Sequence, residues 1–274
     1  MPRVRVRIVP ILIALSVVFF VTRRNGSRAD IDDVHPADTA AGGRYVSSVQ
    51  EGLGASVAIL LDQSGSMEEA PAGGGTNPKY VEARRALAEV LAQTDSFVAR
   101  QPGFTVNVGL YAFDSRVQQI LPIAPFDRQA LEQALERLPP PNGNTAIGDA
   151  MQQATRDLYR AGTIRKYLLV VTDGENTAGQ EPDVVAREIA KRSEGAVKIF
   201  LVAFDVDADK FAFVNAVRGT VIEAHDAAAL RAGLDTLYRG RILAEAVDAG
   251  ESLPTVQDSV TPSATKVVAP PRPR

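Results

Sequence analysis

Five side chains in this sequence share one kind of chemistry. Asp62, Ser64 and Ser66 alternate along Asp62-Gln63-Ser64-Gly65-Ser66, Thr145 sits in Asn144-Thr145-Ala146-Ile147-Gly148, and Asp173 sits in Thr172-Asp173-Gly174. Alternate residues of a chain that curls away from a strand can converge on one point. Two carboxylates and three hydroxyls are hard oxygen donors, which suit Mg²⁺, with Mn²⁺ or Ca²⁺ as alternatives, and do not suit zinc or copper. The aspartates formally balance a divalent ion while hydroxyls donate weakly. A cation held this way stays electrophilic and attracts an incoming carboxylate.

Each residue also has an ordinary reading. Asp62 reads as a turn or helix cap, Thr145 as the N-cap of a following helix, and Asp173 as an Asx-turn residue before Gly174, where the backbone turns tightly. A catalytic alternative takes Ser64, Asp173 and His225, which occur in the chain order of an α/β-hydrolase triad. The nucleophile elbow, however, needs Gly two residues before and two after the serine, and those places hold Asp62 and Ser66. A phosphate-binding loop fares no better, because residues 143–148 lack a Gly-Lys-Ser/Thr ending. A purely structural ion in a scaffold is the remaining alternative.

Composition narrows the field further. The chain has 274 residues, 45% of them hydrophobic, enough to bury a sizeable core. Thirty Lys and Arg against thirty-three Asp and Glu leave a net charge of -3, which gives no electrostatic footprint for nucleic acid. Cys is absent, so disulfides, thiolate metal sites and cysteine nucleophiles are excluded. His35 and His225 are the two histidines, too far apart for a local zinc motif.

The elements that must position the five side chains follow from periodicity. Residues 55–62 (ASVAILLD) form an apolar run ending in an acid, the pattern of a strand buried on both faces in a parallel sheet. Further strands are expected at 104–113, 117–121, 167–173, 197–204 and 220–223. Helical spacing predicts helices at 80–98, 127–138, 147–161, 183–193, 209–217 and 227–238, with Asp127 capping its own helix. Strand and helix alternate from about 53 to 240, so the expected fold is α/β: a doubly wound, mostly parallel six-stranded sheet with helices on both faces. In such sheets ligands gather at the carboxyl ends of the strands, where Asp62 and Asp173 fall.

With that frame, the three motifs resemble the metal-ion-dependent adhesion site of von Willebrand factor type A (vWA) domains. The resemblance covers residues 53–240. It implies that Ser64, Ser66 and Thr145 bind the cation directly and that Asp62 and Asp173 act directly or through water. It further implies a position left open for an exposed Asp or Glu of a partner protein, and a binding module rather than an enzyme. The chain departs from the family in a longer, Gly-rich loop at 68–78. Glu68, Glu69 and Glu175 near the expected rim read as solvated.

The chain ends have their own chemistry. Residues 8–21 carry no charge and lie between Arg3, Arg5 and Arg7 on one side and Arg23 and Arg24 on the other, so residues 1–24 read as a membrane anchor or signal segment. As a helix the uncharged run is roughly 20 Å long against a hydrocarbon layer of about 30 Å, and flanking arginines can snorkel to make up the difference. The expected topology is single-pass with the domain outside the cytoplasm; secretion after cleavage is the alternative. Residues 25–52 read as a flexible linker, and residues 241–274 as a Pro-rich tail without core-forming residues.

Overall fold

The computed structural model describes residues 43–101 and 103–244. The run at 55–62 forms the centre of β1 (Gly52–Asp62), and the reason is burial on both faces. Ala55, Val57, Ile59 and Leu61 enter one core layer while Ala58 and Leu60 enter the other. Side chains alternate along a strand, so a strand in the middle of a sandwich must be apolar throughout.

Around it lie β2 (Thr105–Phe113), β3 (Val117–Pro125), β4 (Thr163–Thr172), β5 (Val197–Phe204) and β6 (Thr220–Ala224). They form one six-stranded sheet in the order β3-β2-β1-β4-β5-β6, parallel except for the β2–β3 pair. One face is covered by α1 (Lys79–Leu91), α3 (Arg128–Glu136) and α7 (Ala227–Leu237) through Leu87, Leu131, Leu230 and Leu234. The other is covered by α4 (Ile147–Leu158) and α5 (Pro182–Arg192) through Met151, Val185 and Ile189. Each such fully buried aliphatic side chain contributes about 1.5–3 kcal/mol relative to exposure. The expected α/β architecture is the one observed.

Several boundaries differ from the expectation. The helix expected over 80–98 is two, α1 and α2 (Thr94–Arg100), separated by a turn at Ala92 and Gln93. After the turn, the buried Thr94 hydroxyl meets the Tyr238 hydroxyl at 3.0 Å, and Phe97 packs edge-on against Phe104. Strand β3 runs to Pro125 rather than stopping at Leu121. It is an edge strand, where the missing N–H of Pro122 is tolerated. The helix expected at 209–217 is a 3₁₀ turn, Ala208–Phe211, followed by the short α6 (Ala212–Ala216).

The folded structure also extends beyond its expected edges. After α7 a π-helical turn, Tyr238–Leu243, puts Tyr238, Ile242 and Leu243 into the core, past the boundary expected at 240. At the other end, the stretch read as linker is held against the domain from Gly43 onward. Tyr45 stacks on Tyr159 with ring centroids 4.9 Å apart, and Arg192 lies 4.1 Å from the Tyr45 ring while donating to the Gly43 carbonyl. Among the described residues no helix is long and apolar enough to cross a membrane. Residues 8–21 and the tail from 245 lie outside the described residues.

Candidate metal centre

Asp62 is the last residue of β1 and Asp173 directly follows β4. These two strands are neighbours, and the strand order reverses between them, which opens a crevice at their carboxyl ends. Thr145 reaches the same crevice on the loop between α3 and α4. That loop is stitched in place by Gly65 N–H donating to Gly143 O at 3.1 Å, Asn142 N–H to Gln63 O at 2.8 Å, and Ala146 N–H to Asp114 O at 2.9 Å. Gly143 makes this turn with φ +71, a conformation that favours glycine. Thr177 completes the brace, its N–H donating to Thr145 O and its hydroxyl accepting from Thr145 N–H, both at 2.9 Å.

All five predicted side chains meet at this crevice. The Ser64 and Ser66 hydroxyls share a hydrogen bond of 3.2 Å, and Ser66 donates to Asp173 Oδ1 at 2.8 Å. Asp62 is fully buried, accepting from Ser64 N–H at 2.7 Å on Oδ1 and from the Thr172 hydroxyl at 2.6 Å on Oδ2. Gly174 shows where two of the hydroxyls lie. A Cβ at that position would lie 3.9 Å from Thr145 Oγ1 and 4.0 Å from Ser66 Oγ. The backbone bends here as expected, with a φ that is not positive, and the glycine also supplies room.

The von Willebrand factor type A domain family matches residues 56–232. The chain belongs to that family. No curated protein matches it. Among solved structures it is similar to the D319A mutant of the PilB minor pilin from Streptococcus sanguinis, with a TM-score of 0.59 and 14% identity. That match covers 76% of this chain and 65% of the pilin, so the chain spans just under two thirds of the pilin's length. BatB from Bacteroides thetaiotaomicron gives a TM-score of 0.54 at 18% identity, covering 70% of this chain and 99% of that one. A von Willebrand factor type A protein from Catenulispora acidiphila gives 0.54 at 23% identity, covering 70% and 46%. These likenesses concern the fold; vWA domains are typically non-enzymatic modules that bind other proteins.

The ordinary readings of the motif residues divide in this vWA domain. Asp62 does make an Asx-type turn with Ser64. Thr145 does not cap α4: the residue before that helix is Ala146, and Asn176 Oδ1 accepts the Ile147 N–H at 2.9 Å instead. The Asp173 carboxylate leaves the turn at Gly174 to the Thr172 hydroxyl, which accepts Gly174 N–H at 3.3 Å. The triad reading finds no support, because His225 Nε2 lies 2.8 Å from Glu223 Oε1, and the described bonds of Asp173 go to Ser66 and Lys79. His225 is largely exposed.

Sequence reasoning missed Lys79, Thr172 and Asp205. Lys79 is 5% exposed, and its ammonium lies 2.8 Å from Asp173 Oδ2 and 3.5 Å from Asp205 Oδ2. Thr172 was signalled by its place in the Thr-Asp-Gly motif; Lys79 and Asp205 had no such signal. Of the rim acids, Glu68 and Glu69 are exposed, while Glu175 pairs with Lys210 at 2.9 Å.

Electrostatics mark the crevice as costly to build. Burial pushes the Asp62 carboxyl up to about 7, against the pull of hydrogen bonds from Thr172 and Ser64 and with a push from Asp173. Burial works against the Lys79 ammonium too, but Asp173 and Asp205 outweigh it and raise its pKa. Among the described residues no group of three or more Asp, Glu or His comes together. A cation at this place must lean on hydroxyls as well as the two carboxylates. The oxygen-only donor set, and the space that a Gly174 Cβ would fill, fit a hard divalent ion.

Proposed function

We propose that this vWA domain binds a partner protein through a divalent cation, Mg²⁺ or alternatively Mn²⁺ or Ca²⁺, held by Asp62, Ser64, Ser66, Thr145 and Asp173. The observation that carries the reading is the convergence of Ser66 and Thr145 hydroxyls over Gly174, beside two carboxylates at the sheet's switch point. The cation supplies an electrophilic centre for an Asp or Glu of the partner. The chain's residues do the rest: hydroxyls orient the ion, Thr172 and Ser64 hold Asp62, and the loop braced by Thr177 presents Thr145. The domain is a binding module and catalyses nothing.

Isothermal titration of Mg²⁺, Mn²⁺ and Ca²⁺ into the protein tests the reading. Saturable binding is expected, lost in Asp62→Ala and Thr145→Ala with the fold retained by circular dichroism. Binding that survives both substitutions sinks it, and unfolding of Thr145→Ala would make the ion structural.

We also propose that residues 1–24 tether the domain to a membrane with the domain outside the cytoplasm. The arginine-bracketed uncharged run at 8–21 supports this. Carbonate extraction and protease access to intact cells check it; a freely soluble, shorter product would instead mean a cleaved signal and secretion.

A further inference from the structure

The long loop at 68–78 does more than lengthen the rim. It doubles back so that Lys79 N–H donates to Glu69 O at 2.8 Å, just as the chain enters α1. Midway, Ala72 N–H donates to both carboxylate oxygens of Asp205, each at 3.1 Å. Asp205 itself sits at φ +59, with its N–H on Ala224 O at 2.7 Å, so the loop is braced on the ends of β5 and β6. Gly73 passes so close to the end of β6 that a Cβ there would lie 2.1 Å from His225 O. This path delivers a buried ammonium to the face of Asp173 opposite Ser66: Oδ1 takes the serine and Oδ2 the lysine.

The charges at the centre then count as follows. With the carboxyls ionised, Asp62 and Asp173 sum to minus two, Lys79 brings them to minus one, and Asp205, which also pairs with the ammonium, returns the four groups to minus two. Asp205 stands further out, shared between Lys79 and the Ala72 amide. A divalent ion entering beside Asp62 and Asp173 meets a buried ammonium 2.8 Å from one of those carboxylates and is repelled by it in a poorly solvated place. A partner's carboxylate on the ion offsets that repulsion.

We infer that Lys79 is a tethered cation that holds down the centre's own affinity for a divalent ion, so that metal and partner carboxylate are retained together rather than singly. This rests on the metal-dependent reading above. A lysine that merely braces the loop makes the opposite prediction, since removing a brace loosens Asp173 and weakens the metal.

Titration of Mn²⁺ into the full-length protein without partner separates the two. Lys79→Met keeps the length of the side chain and drops the charge; it is expected to bind Mn²⁺ at least about tenfold more tightly than wild type. Lys79→Gln should follow it, and Lys79→Arg should stay within about twofold of wild type. Thermal melting gives an independent readout: Lys79→Met should melt lower than wild type without metal and gain more on Mn²⁺ addition. Wild-type binding that is lost in Asp62→Ala, with equal or weaker binding in both neutral Lys79 variants, overturns this inference alone. No saturable Mn²⁺ binding in wild type or either neutral variant overturns it together with the metal reading.

Discussion

Two lysines are buried at opposite ends of β4, Lys166 near its start and Lys79 beside Asp173 just past its finish. Lys166 pairs with Glu51, donates to Thr163 O at 2.7 Å and lies 4.9 Å from the centre of the Tyr159 ring. Around it, Ser56 and Thr163 hydroxyls meet at 2.6 Å, and Asn107 donates to Ser56 and to the Ala161 carbonyl. The lysine, the two hydroxyls and the Asn107 amide N–H are met within the chain, and Asn107 Oδ1 is left without a hydrogen bond among the described residues. At the far end, Thr145 Oγ1 takes no hydrogen bond among the described residues, and two carboxylates face a single close lysine. The buried charge therefore sits in a nearly closed network at one end of the sheet, while at the other it stands beside two carboxylates and the unbonded Thr145 hydroxyl.

The contrast can be broken most strongly at Asp62. Its folded-state pKa of about 7 lies above the unfolded value of 3.8. Between those values the folded protein keeps a proton that the unfolded chain releases, so metal-free stability should be greatest below pH 4. It should fall as pH rises to about 7 and stay low above it, by a few kcal/mol in all. Chemical denaturation across that range should show the fall, and Asp62→Asn should flatten it. A slope unchanged in Asp62→Asn would place its source elsewhere.

At the closed end, Lys166→Met should cost about 2–3 kcal/mol, because Glu51 and the Thr163 carbonyl lose a buried donor. Metal titration should be unaffected. Tyr45→Ala should cost less, about 1–2 kcal/mol, through loss of the Tyr159 stack and the Arg192 contact. Equilibrium unfolding of the two variants ranks them. The smallest stability change, within about 0.5 kcal/mol, is expected for Gly174→Ala, whose methyl meets only ordinary contacts. That methyl would nonetheless fill the space between the hydroxyls, so metal binding should be lost in calorimetry while the melting temperature holds. Retained binding would mean that the cation does not occupy that space.

Most of the frame was legible in the chain. Continuous apolar runs such as 55–62 announce central parallel strands, because only burial on both faces removes the usual alternation. The three motifs could be placed at one sheet edge because two of them end such runs. The break between α1 and α2 was not legible. The partners of Thr94 and Phe97, Tyr238 and Phe104, lie respectively far along the chain and just beyond the helix, and periodicity within a window registers neither. The same holds for Tyr45, whose docking surface on Tyr159 and Arg192 exists only after folding.

By itself, then, the sequence determined the fold class and the family motifs, since strand burial and motif chemistry are local properties of residue type and order. Tertiary structure alone decided which cation stands beside them. Lys79 and Asp205 are separated by more than half the domain and meet at Asp173 through a loop with no periodic pattern. It also decided that Gly174 provides space as well as a bend, because that space is defined by Ser66 and Thr145 arriving from two other loops. Long-range contacts of this kind depend on the path of the chain through space, which local preferences constrain only weakly.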